Sequence, residues 1–201
     1  MKKLVLLSLL LAGAVYTFAQ QTYTSLALGS STPLATVKMK DISGKEVSLA
    51  DATKKNGLLV MFSCNTCPYV LKNQDRTKEV IAYAQKNNIG IIIINSNEAQ
   101  RSEADSYEAM KTYAEKQGYK WYYTLDKESK LANAFGATRT PEVFLFNSKG
   151  ILTYKGAIDD SPADAAKVTR HHLQLAIDET VAGKDVTIKE SKSVGCTIKR
   201  S

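Results

Sequence analysis

Two short runs of unbroken hydrophobicity, "GLLVMF" at 57–62 and "GIIIIN" at 90–95, constrain this chain more than any other feature. Neither alternates apolar with polar residues, as a strand with one wet face would, so both read as strands buried on two faces. Between them Val70, Leu71, Val80, Ile81 and Ala84 recur at mostly helical spacing, and the helix they predict ends near "KNNIG". Tyr107, Met110, Tyr113 and Ala114 place an apolar stripe on a second helix that stops near Gly118. Residues 122–125 read as a short extended piece, and 129–135 as a short helix ended by Gly136. "EVFLF" at 142–146 is a third strand, and "NSKG" turns the chain so that "ILTYKG" returns as its hairpin partner. A last helix is expected from about Ala163 to Val181, carrying Val168, Leu173, Leu175, Ala176 and Ile177. Upstream, "ATVKMKDISGKEVSL" alternates on both sides of an Asp-Ile-Ser-Gly-Lys turn and predicts a hairpin. The sum is an α/β fold with a central mixed β-sheet, helices on both faces and an N-terminal β-hairpin extension.

The ends of the chain differ from its middle. Lys2 and Lys3 precede the apolar run 4–15, and Thr17-Phe18-Ala19 supplies small residues for cleavage, so 1–19 reads as a secretory signal peptide. That run is too short to span a bilayer comfortably, and no stable membrane insertion is expected after cleavage. A Ser/Thr-rich lead-in follows at 20–33, the main domain occupies 34–183, and a polar tail fills 184–201. The expected location is outside the cytoplasm, in the periplasm if the cell is Gram-negative. Without the signal, 25 basic residues face 20 acidic ones, and the lysines stand beside Glu and Asp rather than in a stripe interleaved with aromatics. Such a surface argues against nucleic acid as a partner.

Export puts the chain where disulfides form, yet it has only Cys64, Cys67 and Cys196. Three are too few to staple a domain of this size, whose core is large enough to hold it together. The pair in "SCNTCP" follows a buried strand and opens a helix, where free backbone N–H groups and the helix dipole stabilise a thiolate. Cys64, earlier in the turn, is expected to be more exposed and to be the nucleophile. Cys67, one turn further in, is expected to resolve the mixed disulfide. Pro68 fits because its missing N–H belongs to the unpaired first turn. Two other readings stay open: half of a zinc or copper site, and a structural disulfide. A second CxxC is absent, adjacent His171 and His172 point in different directions on a helix, and the small loop a structural bridge would close stabilises little. Neither a metal nor any other cofactor is expected beyond the redox-active disulfide itself. "RTPEVFLF" adds Pro141 directly before the third strand, where a cis or a trans bond would fit.

Taken in order, "LLVMFSCNTCPYV", "IIIINSN", "TPEVFLF", "GAIDD" and "SVGCTIKR" resemble the thioredoxin-like redoxin superfamily, in its peroxiredoxin-like branch related to alkyl hydroperoxide reductase and thiol-specific antioxidant proteins. The resemblance runs from about Ser31 to Arg200. It implies a thioredoxin fold, an attacking Cys64, a resolving Cys67 and a cis Pro141, with the peptide group of Thr140 able to pair with a bound polypeptide. It also implies a part for Cys196 in exchange, against the plain reading of a buried or free tail thiol. Departures from the pattern matter. Asn65-Thr66 stand between the cysteines where thioredoxin has Gly-Pro, and thioredoxin's buried acid would fall near Leu58. Glu142 is therefore a candidate general base and Arg139 a candidate anion-stabilising group.

The expected function is an exported thiol-disulfide oxidoreductase exchanging disulfides with client proteins, supplied by an unidentified electron donor or acceptor. A peroxiredoxin-like thiol peroxidase is the enzymatic alternative, with Cys67 or Cys64 attacking and Cys196 resolving. A copper- or zinc-handling module of the same fold is the other.

Overall fold

A computed structural model describes residues 23–201, and the expected signal segment lies outside the described residues. Nine strands and six helices follow in order. β1 (Met39–Asp41) and β2 (Glu46–Val47) form the expected hairpin, Met39 opposite Val47. The short α1 (Leu49–Ala52) opens on a capping box in which Ser48 and Asp51 satisfy each other's backbone N–H groups. Then come β3 (Leu58–Ser63), α2 (Pro68–Lys72), α3 (Gln74–Lys86), β4 (Gly90–Asn95), α4 (Tyr107–Gln117), β5 (Tyr122–Leu125) and α5 (Lys130–Phe135). β6 (Arg139–Thr140), β7 (Glu142–Phe146), β8 (Leu152–Gly156), α6 (His172–Val181) and β9 (Cys196–Thr197) complete the chain.

Seven strands make one mixed sheet in the order β2-β1-β5-β4-β3-β7-β8, while β6 and β9 pair separately. β4 runs parallel to both β3 and β5, and β7 antiparallel to β3. The two apolar runs lie side by side, Val60 opposite Ile92. Their residues point alternately to two cores. Leu59, Met61, Ile91 and Ile93 pack with Val80, Ile81 and Ala84 of α3 and Leu173 and Ile177 of α6. Leu58, Val60, Phe62, Ile92 and Ile94 pack on the other face with Leu49 of α1 and Leu131 and Phe135 of α5. Double-sided burial is why neither run carries a polar residue at every second position.

Two helices differ from expectation. The helix after the cysteines is broken at Asn73, whose Nδ2 donates to Tyr69 O at 2.7 Å and to Pro162 O at 2.8 Å. The last helix begins at His172, nine residues later than expected from about Ala163. Arg76 of α3 ion-pairs with the buried Asp159 and donates to Ser161 O and Pro162 O, holding 159–162 as a loop, and between it and α6 Ala165–Lys167 make a single 3-10 turn. Lead-in and tail both lie on the domain. Leu26 N donates to Phe135 O at 2.9 Å, Gly29 N to Leu152 O at 3.0 Å, and Ser191 N to Lys155 O at 3.1 Å.

Candidate functional site

Cys64 follows the last residue of β3, and Cys67 occupies the N-cap position of α2 with Pro68 in the first turn. The turn between them is tied down by its own Asn65. Its backbone N–H donates to Asp105 Oδ1 at 2.9 Å, its Nδ2 to Ala104 O at 2.8 Å, and its Oδ1 accepts from Tyr123 OH at 2.8 Å. Asp105, fully buried, also accepts from Asn95 Nδ2 at 2.7 Å and Asn97 Nδ2 at 2.8 Å. A buried carboxylate is tolerable only with such a complement of donors. These residues were not singled out in the sequence. A signal for Asn95 and Asn97 was there: "NSN" is a polar run at the carboxyl end of a strand buried on both faces.

The structure brings Cys64, Cys67, Thr140, Pro141 and Cys196 together. The Thr140-Pro141 peptide is cis. Cys64 Sγ lies 3.4 Å from Thr140 Oγ1, and the Cys67 thiol points at Thr140 O at 3.2 Å. All three cysteines are free, and Cys67 Sγ stands only 2.7 Å from Cys196 Sγ. The last contact follows from the register of the small sheet, in which Thr140 faces Cys196 and Arg139 faces Thr197. The polypeptide edge of Thr140 is thus occupied by the chain's own tail.

Cys64 is not the exposed member of the pair. Cys64 is 2% and Cys67 3% accessible, because the turn is drawn in by Asp105 and roofed by Thr140 and the tail. Ionising one of the two thiols opposes ionising the other, and hydrogen bonding favours the charge on Cys67. A hydrogen bond from the Cys64 thiol does most to push the Cys67 pKa down, with further help from the Cys196 thiol and the N–H groups of Val70 and Cys196, against the cost of burial. The same hydrogen bond and burial push Cys64 up, and the charge of Asp105 adds to this. Burial first, then the neighbouring Cys67, raises Cys196 to about 11.

Glu142 and Arg139 both bind backbone near the site. Glu142 Oε2 accepts from the backbone N–H groups of Thr138 and Arg139 at 2.7 and 3.0 Å, which braces the approach to β6. The exposed Arg139 guanidinium reaches Gly195 O at 3.5 Å and so steadies the tail. Among the described residues no group of three or more His, Cys, Asp or Glu side chains is arranged to hold a metal ion. A cavity of about 750 Å³ lined by Tyr119, Trp121 and Tyr122 lies at the amino end of β4, at the other end of the sheet from the sulfurs.

Comparison with known proteins agrees with this geometry. Residues 27–170 match the family described as Redoxin. The thiol-disulfide oxidoreductase ResA of Geobacillus thermodenitrificans is 26% identical over 149 residues, covering 73% of this chain and 80% of that protein. The crystal structure of an uncharacterized conserved protein from Geobacillus kaustophilus superposes with a TM-score of 0.81 at 30% identity, over 89% of this chain and 95% of that one. The thioredoxin domain of a thiol-disulfide oxidoreductase from Bacteroides vulgatus, 21% identical with a TM-score of 0.55 over 66% of this chain and 90% of its own, shares the fold. With a thioredoxin-like sheet, a dithiol at the head of a helix and a match across most of its length, the chain belongs to the redoxin family.

Proposed function

We propose that this protein is an exported thiol-disulfide oxidoreductase that exchanges disulfides with client proteins through Cys64 and Cys67. The observation that carries this reading is the convergence of two free thiols on one residue at the head of a helix, Cys64 Sγ 3.4 Å from Thr140 Oγ1 and Cys67 Sγ 3.2 Å from Thr140 O. A thiolate held at neutral pH attacks disulfides, whereas a thiol does not. The lowered pKa favours attack by Cys67, where position in the turn favours Cys64. Cys67 sulfur bonds to one client sulfur and releases the other as a thiolate; Cys64 then attacks Cys67, freeing the second client sulfur and leaving the Cys64–Cys67 disulfide. Run backwards, the same steps oxidise the client.

The test is to trap the mixed disulfide. In a Cys196→Ser background, Cys64→Ser should accumulate a covalent adduct with a disulfide-bonded client such as insulin, and Cys67→Ser should not. Adducts of the opposite variant would return the attack to Cys64; adducts of neither would end the oxidoreductase reading. Export is tested by the N-terminal sequence of the protein recovered from its native cell, expected to start at or near Gln20.

A further inference from the structure

The tail of the chain does more than cover the site. β9 lies along the edge of β6 with Cys196 opposite Thr140, and four separate features seat it there. Gly195 passes so close to β6 that a Cβ would stand 2.1 Å from Thr140 O. Arg139 reaches Gly195 O at 3.5 Å. Ile198 N donates to Thr138 O at 3.1 Å. Lys199 N donates to Asn97 Oδ1 at 2.9 Å, and the Nδ2 of the same Asn97 donates to Asp105, which holds the turn between the cysteines. The result of this seating is the 2.7 Å contact between Cys196 and Cys67 sulfurs, within a small shift of the about 2.05 Å of a covalent bond.

We propose that the 196–199 strand is an internal client of the dithiol, and that Cys196 exchanges with the Cys64–Cys67 disulfide to form a Cys67–Cys196 disulfide that pins the tail over Thr140. The inference rests on the exchange reading above. The step is redox-neutral and needs no further oxidant. Cys196 gives up its proton and attacks Cys67 sulfur; the Cys67–Cys196 bond forms as the Cys64–Cys67 bond breaks, and the electron pair and a proton go to Cys64. Its timing is built in. While Cys67 is a thiolate it opposes ionisation of Cys196, and that opposition ends once Cys67 has entered a disulfide. An external client then meets an edge already paired, and must wait until reduction of Cys67–Cys196 lets the strand lift.

Trypsin makes the two disulfides distinguishable, because Cys64 and Cys67 share the peptide 56–72 while Cys196 lies in 193–199. The folded wild-type protein is equilibrated with reduced and oxidised glutathione, quenched in acid, alkylated and mapped without reduction. The expected result is the cross-linked pair of peptides, with fragmentation placing the bond at Cys67, in at least a tenth of the oxidised molecules; Cys196→Ser should give the intrapeptide disulfide alone. The intrapeptide Cys64–Cys67 disulfide as the sole oxidised form, with Cys196 alkylated throughout the oxidised population, would overturn the inference and leave the dithiol reading standing. Absence of every protein disulfide would overturn both. A kinetic arm separates them again: Cys64→Ser with Cys196 intact should release its client adduct at least tenfold faster than the Cys64→Ser, Cys196→Ser double variant, and equal rates would overturn the internal exchange.

Discussion

Asp105 and Asn65 are forty residues apart in the chain, and the backbone N–H of the second donates to the carboxylate of the first at 2.9 Å inside the protein. This one bond fixes the turn between Cys64 and Cys67 to the loop after β4. Asp105→Ala strands three donors at once, on Asn65, Asn95 and Asn97. An unpaired buried donor costs about 1–3 kcal/mol, so a loss of about 3 kcal/mol or more is expected in urea unfolding. Removing the nearby negative charge should also lower the Cys64 pKa, read by pH-dependent alkylation.

Ionisation of Cys67 depends on what Cys64 donates. Cys64→Ser keeps a hydroxyl that can give the hydrogen bond, and Cys64→Ala does not. The thiolate absorbance of Cys67 should therefore persist to lower pH in the serine variant than in the alanine variant. Equal titrations of the two would show that the bond does not set the charge.

Stability of the reduced protein should follow the same group. Its folded pKa lies below the unfolded thiol value of about 8.5, so the contribution is fully present above that value and declines as pH falls toward the folded pKa. The reduced wild type should gain on Cys67→Ser between pH 6 and pH 9, by thermal unfolding at both (about the range set by the thiol's ordinary titration). A constant difference would count against a thiolate at Cys67.

Seating of the tail rests on a missing side chain. Gly195→Val places a Cβ 2.1 Å from Thr140 O, and because the close atoms are all backbone of Thr140 and Pro141 the strand must lift. Alkylation of Cys196 in the reduced protein should become at least tenfold faster, with the Cys64–Cys67 pair still able to oxidise.

The α5 face of the sheet has a single centre. The Phe135 ring meets Phe62, Phe144 and Phe146 edge-on, at centroid distances of 5.3, 5.1 and 5.9 Å. Phe135→Ala should cost about 3–5 kcal/mol in denaturant unfolding, without a change in thiol titration.

What could be read in advance divides along physical lines. β3, β4 and β7 were legible because burial on both faces leaves a run of apolar residues with no polar interruption. The hairpin of β1 and β2 was legible from its turn. The start of α6 differs from the pattern because Val168 continues the apolar spacing, while Asp160 accepts from Thr169 N at 3.0 Å and its own N–H donates to Arg170 O at 3.2 Å, closing 160–170 into a loop. The three cysteines and Pro141 announced themselves by type. Their mutual geometry did not: a two-residue strand such as β9 has no periodicity, and its partner β6 is as short. Nor does local sequence say that Asn65 will find Asp105.

The position of the large cavity makes the protein convenient to watch. Trp121 is the chain's single tryptophan and lines that cavity, about five residues along the sheet, roughly 15 Å, from the level of the sulfurs. Disulfides quench indole emission on close approach, and this indole is kept away from them. Its fluorescence therefore reports the packing of the amino end of the sheet whatever the redox state of the cysteines, which allows oxidised and reduced forms to be compared on one optical scale.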